Sequence, residues 1–197
     1  MKKLLIISIF TIAFTCKAQS PIFPLEDWDK EQSNAYYKDL DNELDTFVGT
    51  WLYTNGNTSW KIKLKKEITF FNDKYYEDLI VGEYQYIANG IQIINTLPNI
   101  DTVNGYLHEI TGNSIYKNCD YLPPSDCIPG ESRLITSLSD PLTGHAATVI
   151  LSKRIVDGLE TIIAYVIFEQ LSSYNGYSLP KPEPTMPWQK EYTLIKQ

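Results

Sequence analysis

The histidines are the first residues to consider for chemistry, because nucleophilic catalysis needs a histidine held by a carboxylate beside a hydroxyl group. The chain has two, His108 and His145. His145 lies at a predicted turn or strand start. His108 precedes Glu109, and adjacent strand residues face opposite sides. The chain has no Gly-x-Ser-x-Gly motif, which would mark an activated serine. We therefore expect no catalytic site and a protein that is not an enzyme.

Alternating carboxylates between Asp39 and Asp45 have the spacing of the first ligands of a calcium-binding loop. Such a loop has glycine at its sixth position and glutamate at its twelfth. This chain has Leu44 and Thr50 at those positions. We interpret the segment as an acidic, solvated helix end, and we expect neither a metal nor a cofactor.

Two cysteines, Cys119 and Cys127, flank residues 120–126. In an exported, oxidising compartment such a pair predicts a disulfide that closes a loop. By the chain-entropy estimate the bridge contributes about 2–3 kcal/mol to stability. Metal binding by the pair is the weaker alternative, because neither histidine is nearby in sequence.

The N-terminus indicates the compartment. Two lysines precede an apolar run over residues 4–14, and small residues follow up to Ala18, as in a secretory signal peptide. A membrane-spanning helix needs about 20 apolar residues, and this run is shorter. We predict that residues 1–18 are a signal peptide, with lipidation at Cys16 as the less favoured alternative. The protein is then periplasmic, at the cell surface or secreted.

The charge balance argues against nucleic acid as a partner. Removing Lys2, Lys3 and Lys17 with the signal peptide leaves 14 of the 17 basic side chains, against 24 acidic ones. Binding to a phosphate backbone requires clustered lysine and arginine. We therefore expect no nucleic-acid partner, and the remaining length is that of one domain with one core.

β-Strands must position the remaining candidate side chains, because apolar residues alternate from Thr46 onward. The first strand has one face made of Phe47, Gly49, Trp51 and Tyr53. After a turn at Asn55-Gly56-Asn57, the next strand has an apolar face of Trp60, Ile62 and Leu64 and an opposite face of Lys61, Lys63 and Lys65. This alternation indicates one buried and one solvated face.

Further turns are predicted at Asn89-Gly90, Gly112-Asn113 and Asp157-Gly158. The strands that they separate, together with the last one, are Leu79–Ala88, Ile91–Asn95, Tyr106–Ile110, Ser114–Lys117, His145–Val156, Leu159–Gln170 and Gln189–Lys196. About nine or ten strands without helical crossovers indicate an all-β, antiparallel up-and-down barrel, with a sandwich as the other arrangement.

The domain boundaries follow from these patterns. Residues 46–197 are assigned to the barrel, and residues 19–45 to an acidic N-terminal segment whose apolar spacing favours a short helix. The proline-rich segment Ser172–Pro187 is interpreted as a surface loop, with a rim or lid over the barrel mouth as the alternative.

Two resemblances involve these strands. The segment from Phe47 to Trp51 resembles the start of a lipocalin or calycin barrel through Gly49-x-Trp51. A longer stretch resembles a family of small exported bacterial proteins of unassigned function. It does so through Gly49-x-Trp51-x-Tyr53, the run Tyr75–Tyr86, and Asn89-Gly90 followed by Asn95–Pro98. The resemblance implies a lipocalin-like β-domain in which the tryptophan plugs the closed end and a basic residue of the last strand often stacks on it. It supplies no catalytic residues.

A barrel of this size is either filled by side chains or holds one ligand. The candidate ligand-binding residues are Trp51, Tyr53, Trp60, Tyr84 and Tyr86. We predict an exported, monomeric protein that binds a small apolar or amphipathic ligand in its barrel. The alternatives are a non-catalytic structural or protein-interaction module of the cell envelope and, third, a hydrolase or isomerase built on the same barrel.

Overall fold

The structure is a computed structural model that describes residues 20–119, 127–168, 183–187 and 190–197. The predicted signal peptide, Cys16 and most of the predicted loop Ser172–Pro187 lie outside these ranges. Within them, no helix is long and apolar enough to cross a membrane.

In the described part of the chain, eleven β-strands form one sheet, and eight of them close into an antiparallel barrel. In chain order the strands are β1 (Ile22–Pro24), β2 (Tyr36–Lys38), β3 (Gly49–Asn55), β4 (Thr58–Phe71), β5 (Tyr76–Ala88), β6 (Ile91–Asn95), β7 (Ile110–Tyr116), β8 (Arg133–Ser139), β9 (Ala146–Val156), β10 (Leu159–Phe168) and β11 (Lys190–Lys196). Strands β3, β4, β5 and β7 to β11 follow one another around the barrel, and β11 pairs with β3 to close it. The predicted all-β, up-and-down barrel is confirmed.

Two of the predicted turns are tight hairpin connections. Asn89 and Gly90 have φ values of 52° and 80°, and Asp157 and Gly158 have φ values of 52° and 79°. Two successive residues with positive φ match the right-handed twist of the flanking strands, which is why such turns favour asparagine, aspartate and glycine.

The predicted turn at Gly112-Asn113 is wrong, because both residues lie inside β7. The pairing of β7 with β8 shifts register between Thr111 and Ser114, so the irregularity interrupts a strand without ending it. A Cβ atom on residue 112 would lie 2.4 Å from the carbonyl oxygen of Ile135. The glycine therefore permits a close approach of two strands, where sequence reasoning assigned it to a turn.

The region around β7 differs from the prediction in two further respects. The strand expected at Tyr106–Ile110 begins only at Ile110, because Gly105–Leu107 forms a 3₁₀-helix. Strand β8 was not among the predicted strands, although Leu134, Thr136 and Leu138 alternate on its buried face.

The short amphipathic helix expected in the N-terminal segment is wrong. The described residues form 3₁₀ turns at Leu25–Lys30 and Leu44–Phe47, and Tyr36, one of its apolar positions, lies in β2. Strand β1 pairs in parallel with β2, and β2 pairs in parallel with the start of β5. The buried Asp78 carboxylate accepts hydrogen bonds from the Tyr36 hydroxyl at 2.6 Å and from the Asp39 amide at 3.1 Å. These bonds fix the segment along the first part of β5.

The barrel core has the alternation that the sequence predicts. Trp60, Ile62 and Leu64 on β4 are buried, whereas Lys63 and Lys65 are exposed. Strands β9 and β10 are buried on both faces, so that Ile150 is as inaccessible as its neighbours Val149 and Leu151.

The predicted disulfide between Cys119 and Cys127 is present, with a Cα–Cα distance of 5.8 Å. It lies in the connection between β7 and β8, outside the barrel strands.

Replacing Gly112 by alanine tests the close approach of β7 and β8. We expect Gly112→Ala to lower the free energy of unfolding by about 1–3 kcal/mol, because the added methyl group must displace backbone atoms of β8. Urea denaturation measures the change. Ser114→Ala in the same strand is the control, for which we expect a change within about 0.5 kcal/mol. Equal stability of Gly112→Ala and the natural protein would contradict the argument.

Candidate functional site

The five candidate aromatics lie in two cross-strand layers inside the barrel. Tyr53 pairs with Trp60, and Trp60 pairs with Tyr86. One step deeper, Ile62 pairs with both Trp51 and Tyr84. We call the end with the first layer the aromatic end, and the end beyond Trp51 the plugged end.

Trp51 at the plugged end is a structural residue, and the only polar group of its side chain is hydrogen-bonded. Its side chain is fully buried, and its indole Nε1–H donates to the carbonyl oxygen of Phe47 at 2.9 Å. The Lys196 ammonium on β11 lies 5.6 Å from the centre of the Trp51 ring. This lysine is the stacked basic residue of the last strand that the resemblance implies, and the contact is a cation–π interaction.

Tyr192 on β11 completes the aromatic end, and sequence reasoning missed it. Its ring is buried and makes edge contacts with Tyr53 at 4.9 Å and with Trp60 at 5.0 Å between ring centres. The signal was present, because Tyr192 and Leu194 alternate in the predicted last strand in the same way as Trp60 and Ile62 do in β4.

Two hydrogen-bond donors at the aromatic end have no acceptor among the described residues: Trp60 Nε1–H and the Tyr192 hydroxyl. Both side chains are at most 1% exposed. Burial, together with the nearby Tyr86 and Tyr53, raises the pKa of Tyr192 above its ordinary value. The hydroxyl therefore stays protonated and can donate, and the indole N–H of Trp60 is a donor only.

Lys190 adds a positive charge to the aromatic end. It lies two residues before Tyr192 on β11, so both side chains belong to the inward face of the strand. The Lys190 ammonium lies 5.0 Å from the centre of the Tyr192 ring and 5.5 Å from that of Tyr53. Among the described residues it forms no ion pair with a carboxylate.

The segment 183–187 reaches the aromatic end through Asp140, which follows β8. One oxygen of this buried carboxylate accepts hydrogen bonds from the amide and the hydroxyl of Thr185, each at 2.8 Å. The other oxygen accepts from the amides of Leu142 and Thr143. Met186, next to Thr185, is 1% exposed and belongs to the core. The remainder of the predicted loop, and with it the alternative of a lid, lies outside the described residues.

Among the cavities that the described residues line, two open on the surface near the N-terminal segment and the turn between β4 and β5. One of about 450 Å³ lies between the N-terminal segment and β7. The other, of about 590 Å³, has an apolar wall made of Phe70, Phe71, Tyr75, Tyr106 and Leu107. None of the five candidate aromatics lines either cavity. Trp51, Trp60, Tyr84 and Tyr86 belong to the buried core cluster, and Tyr53 packs against it.

His108 is part of a buried cluster on the outer wall of the barrel, away from the aromatic end. Its Nδ1 lies 2.9 Å from an oxygen of Glu83, and its Nε2 lies 3.5 Å from an oxygen of Glu67. In the described part of the chain its polar contacts are carboxylates, and no hydroxyl nucleophile accompanies it. The sequence could not reveal this cluster, because it depends on residues 97–108 folding over β5.

Within the described residues, no group of three or more histidine, cysteine, aspartate and glutamate side chains is arranged to hold a metal ion. The acidic row between Asp39 and Asp45 instead serves the fold. Asp39 accepts hydrogen bonds from the amides of Glu43 and Leu44, and it forms an ion pair with Lys66 at 2.8 Å.

Removing the Trp51 side chain tests its structural role. We expect Trp51→Ala to lower the free energy of unfolding by about 3–5 kcal/mol, the cost of truncating a large buried aromatic residue. Chemical denaturation measures it, with the exposed Lys63→Ala as the control. A denaturation curve equal to that of the natural protein would contradict the assignment of Trp51 to the core.

The Asp140 carboxylate predicts a pH dependence of stability. Burial alone would raise its pKa, but the hydrogen bonds from Thr185, Thr143 and Leu142 outweigh burial and hold the pKa below the ordinary value of 3.8. Its contribution is therefore present above that value and is lost as the pH falls through the lowered pKa. We expect Asp140→Asn to be less stable by about 1–3 kcal/mol near neutral pH and this difference to shrink in acid. Denaturation at several pH values measures both proteins, and a pH-independent difference would contradict the assignment.

Comparison with known proteins gives one match. No curated protein and no solved structure matches the chain. One family model, described as a family of unknown function (DUF6705), matches residues 1–197. Because that match spans the whole sequence, the chain belongs to this family of unknown function.

Proposed function

We propose that this protein is exported and binds one small apolar or amphipathic ligand at the aromatic end of its barrel, without catalysing a reaction. The observation that carries the proposal is the pair of buried donors, Trp60 Nε1–H and the Tyr192 hydroxyl, that meet no acceptor in the described residues. A buried polar group left without a partner costs about 1–3 kcal/mol. A ligand that brings an acceptor atom to these donors removes that cost.

The surroundings of the two donors suit a largely apolar molecule. The rings of Tyr53 and Tyr86 belong to the same layer, and Tyr53 is only partly buried. The next layer, with Trp51, Ile62 and Tyr84, is packed and buried. The proposed ligand therefore lies at the aromatic end of the barrel, above this packed layer.

Export is supported by two independent features. The first 18 residues have the pattern of a signal peptide, with lipidation of Cys16 as the alternative way of processing them. The disulfide between Cys119 and Cys127 is of the kind that persists in oxidising compartments. Mass spectrometry of the protein from the cells that make it distinguishes a start at Gln19 from a lipid on Cys16.

A protein-interaction module is the second candidate function, and the apolar cavity of about 590 Å³ favours it. Tyr106 and Leu107 at this cavity are 54% and 77% exposed, which is unusual for neighbouring large apolar residues. The 3₁₀-helix Gly105–Leu107 presents both side chains to solvent.

Native mass spectrometry of the protein purified from the cells that produce it tests the two candidates. We expect a retained small molecule that is lost, or reduced about tenfold, in Trp60→Phe and Tyr192→Phe, because each change removes one donor and keeps a ring. Tyr116→Phe removes a hydroxyl outside the site and is the control. A mass without ligand, together with a co-purifying protein that cross-links near Tyr106, would contradict ligand binding and support the second candidate.

A further inference from the structure

We propose that the ligand carries a carboxylate head group, which is bound at the aromatic end by the Lys190 ammonium together with Trp60 Nε1–H and the Tyr192 hydroxyl. The inference rests on the proposed function and goes beyond it, because it names the chemical class of the ligand. It begins from Lys190, whose ammonium forms no ion pair with any carboxylate of the described residues.

Lys190 belongs to the minority of described lysines that form no ion pair. Seven of the eleven described lysines pair with a carboxylate, whereas Lys38, Lys61, Lys63 and Lys190 do not. Lys65, Lys66 and Lys74 pair with acids on the outside or at the plugged end. The lysine at the other end of the same strand, Lys196, pairs with Glu160 at 2.5 Å.

Lys190 has a different environment. On the inward face of β11 its ammonium lies over the rings of Tyr192 and Tyr53, and within the described ranges no carboxylate reaches it. A positive charge beside low-dielectric aromatic walls attracts an anion more strongly than an exposed lysine does.

The neighbouring polar groups act in the same direction, because all of them donate. An ammonium has three donors and no acceptor, and an indole N–H donates only. The Tyr192 hydroxyl stays protonated because its burial raises its pKa. A carboxylate has two oxygens with about four acceptor sites, enough for all three kinds of donor, and its negative charge matches the charge of the lysine.

The same arrangement disfavours the other kinds of head group. An alcohol accepts hydrogen bonds but leaves the lysine without a counter-charge. A cationic head group would be drawn to tyrosine rings, but Lys190 already lies over two of them and would repel a second cation.

The test uses three amphiphiles with the same ten-carbon tail: decanoate, decanol and decyltrimethylammonium. Isothermal titration calorimetry with the full processed protein near neutral pH measures each affinity, because carboxylates and ammonium groups are ordinarily charged there. We expect decanoate to bind at least about tenfold more tightly than decanol, because its hydrogen bonds are charge-assisted and therefore stronger. We expect decyltrimethylammonium to bind the most weakly of the three. Added salt should weaken decanoate binding more than decanol binding.

Variants then assign the preference to Lys190. We expect Lys190→Met to remove the difference between decanoate and decanol, and Lys190→Arg to retain it. Lys63→Met, which removes an outward-facing charge from β4, is the control and should leave the difference unchanged. The comparison of the three ligands on the natural protein does not depend on the folding of any variant.

The outcomes separate the two proposals. Equal binding of decanoate and decanol, or tighter binding of the cation, overturns the carboxylate assignment while ligand binding at the aromatic end stands. A preference for decanoate that persists in Lys190→Met also overturns the assignment. If none of the three amphiphiles binds, the proposed function fails, and this inference fails with it.

Discussion

The barrel wall is continuous only because β5 meets β7, and this contact consists of three residue pairs, Ile80 with Gly112, Val81 with Thr111 and Gly82 with Ile110. Two of the six residues are glycines. A Cβ atom on residue 82 would lie 2.6 Å from the Leu64 side chain on β4, and one on residue 112 would lie 2.4 Å from the Ile135 carbonyl oxygen on β8. The rest of this edge of β5 pairs with β2 before the contact and with β6 after it. One long strand therefore holds the barrel wall, the N-terminal segment and β6 together. The segment 97–108 packs on the outer side of β5, where Glu83 is buried and contacts His108 at 2.9 Å.

The sequence predicts the barrel well because its inward and outward residues alternate clearly. Trp60, Ile62 and Leu64 mark a buried face, and the Asn89-Gly90 and Asp157-Gly158 pairs mark hairpins. Gly112 was misassigned because a glycine before an asparagine also fits a turn, and only the distance to β8 identifies its role. The sequence patterns also do not predict contacts between residues that are far apart in the chain. The buried His108–Glu83 pair depends on residues 25 positions apart, and the unpaired donors of the candidate site depend on how β4 and β11 approach each other.

The two ends of the barrel use the same pair of residue types in opposite ways. At the plugged end the indole of Trp51 is satisfied by a backbone carbonyl, and Lys196 over its ring also has an acidic partner. At the aromatic end the indole of Trp60 has no acceptor, and Lys190 over the rings of Tyr192 and Tyr53 has no acid, among the residues described. Residue type alone therefore does not distinguish Trp51 from Trp60, the tryptophan of the candidate site. The difference between these two positions is whether the polar atoms find partners among the described residues, and that is a property of the folded chain.

The pairing of β11 with β3 has a consequence for the order in which the chain folds. Ile195 lies opposite Leu52, and Lys196 lies opposite Trp51, so the wall is completed by residues from opposite ends of the barrel sequence. Bringing such distant residues together has the largest entropic cost of loop closure of any strand pair in the barrel. Contacts between residues far apart in sequence also slow folding. Local hairpins such as β9–β10 join residues that are close in sequence and do not require this closure. The closed barrel cannot form before residues 190–197 are available, so until then the core aromatics have no complete enclosure.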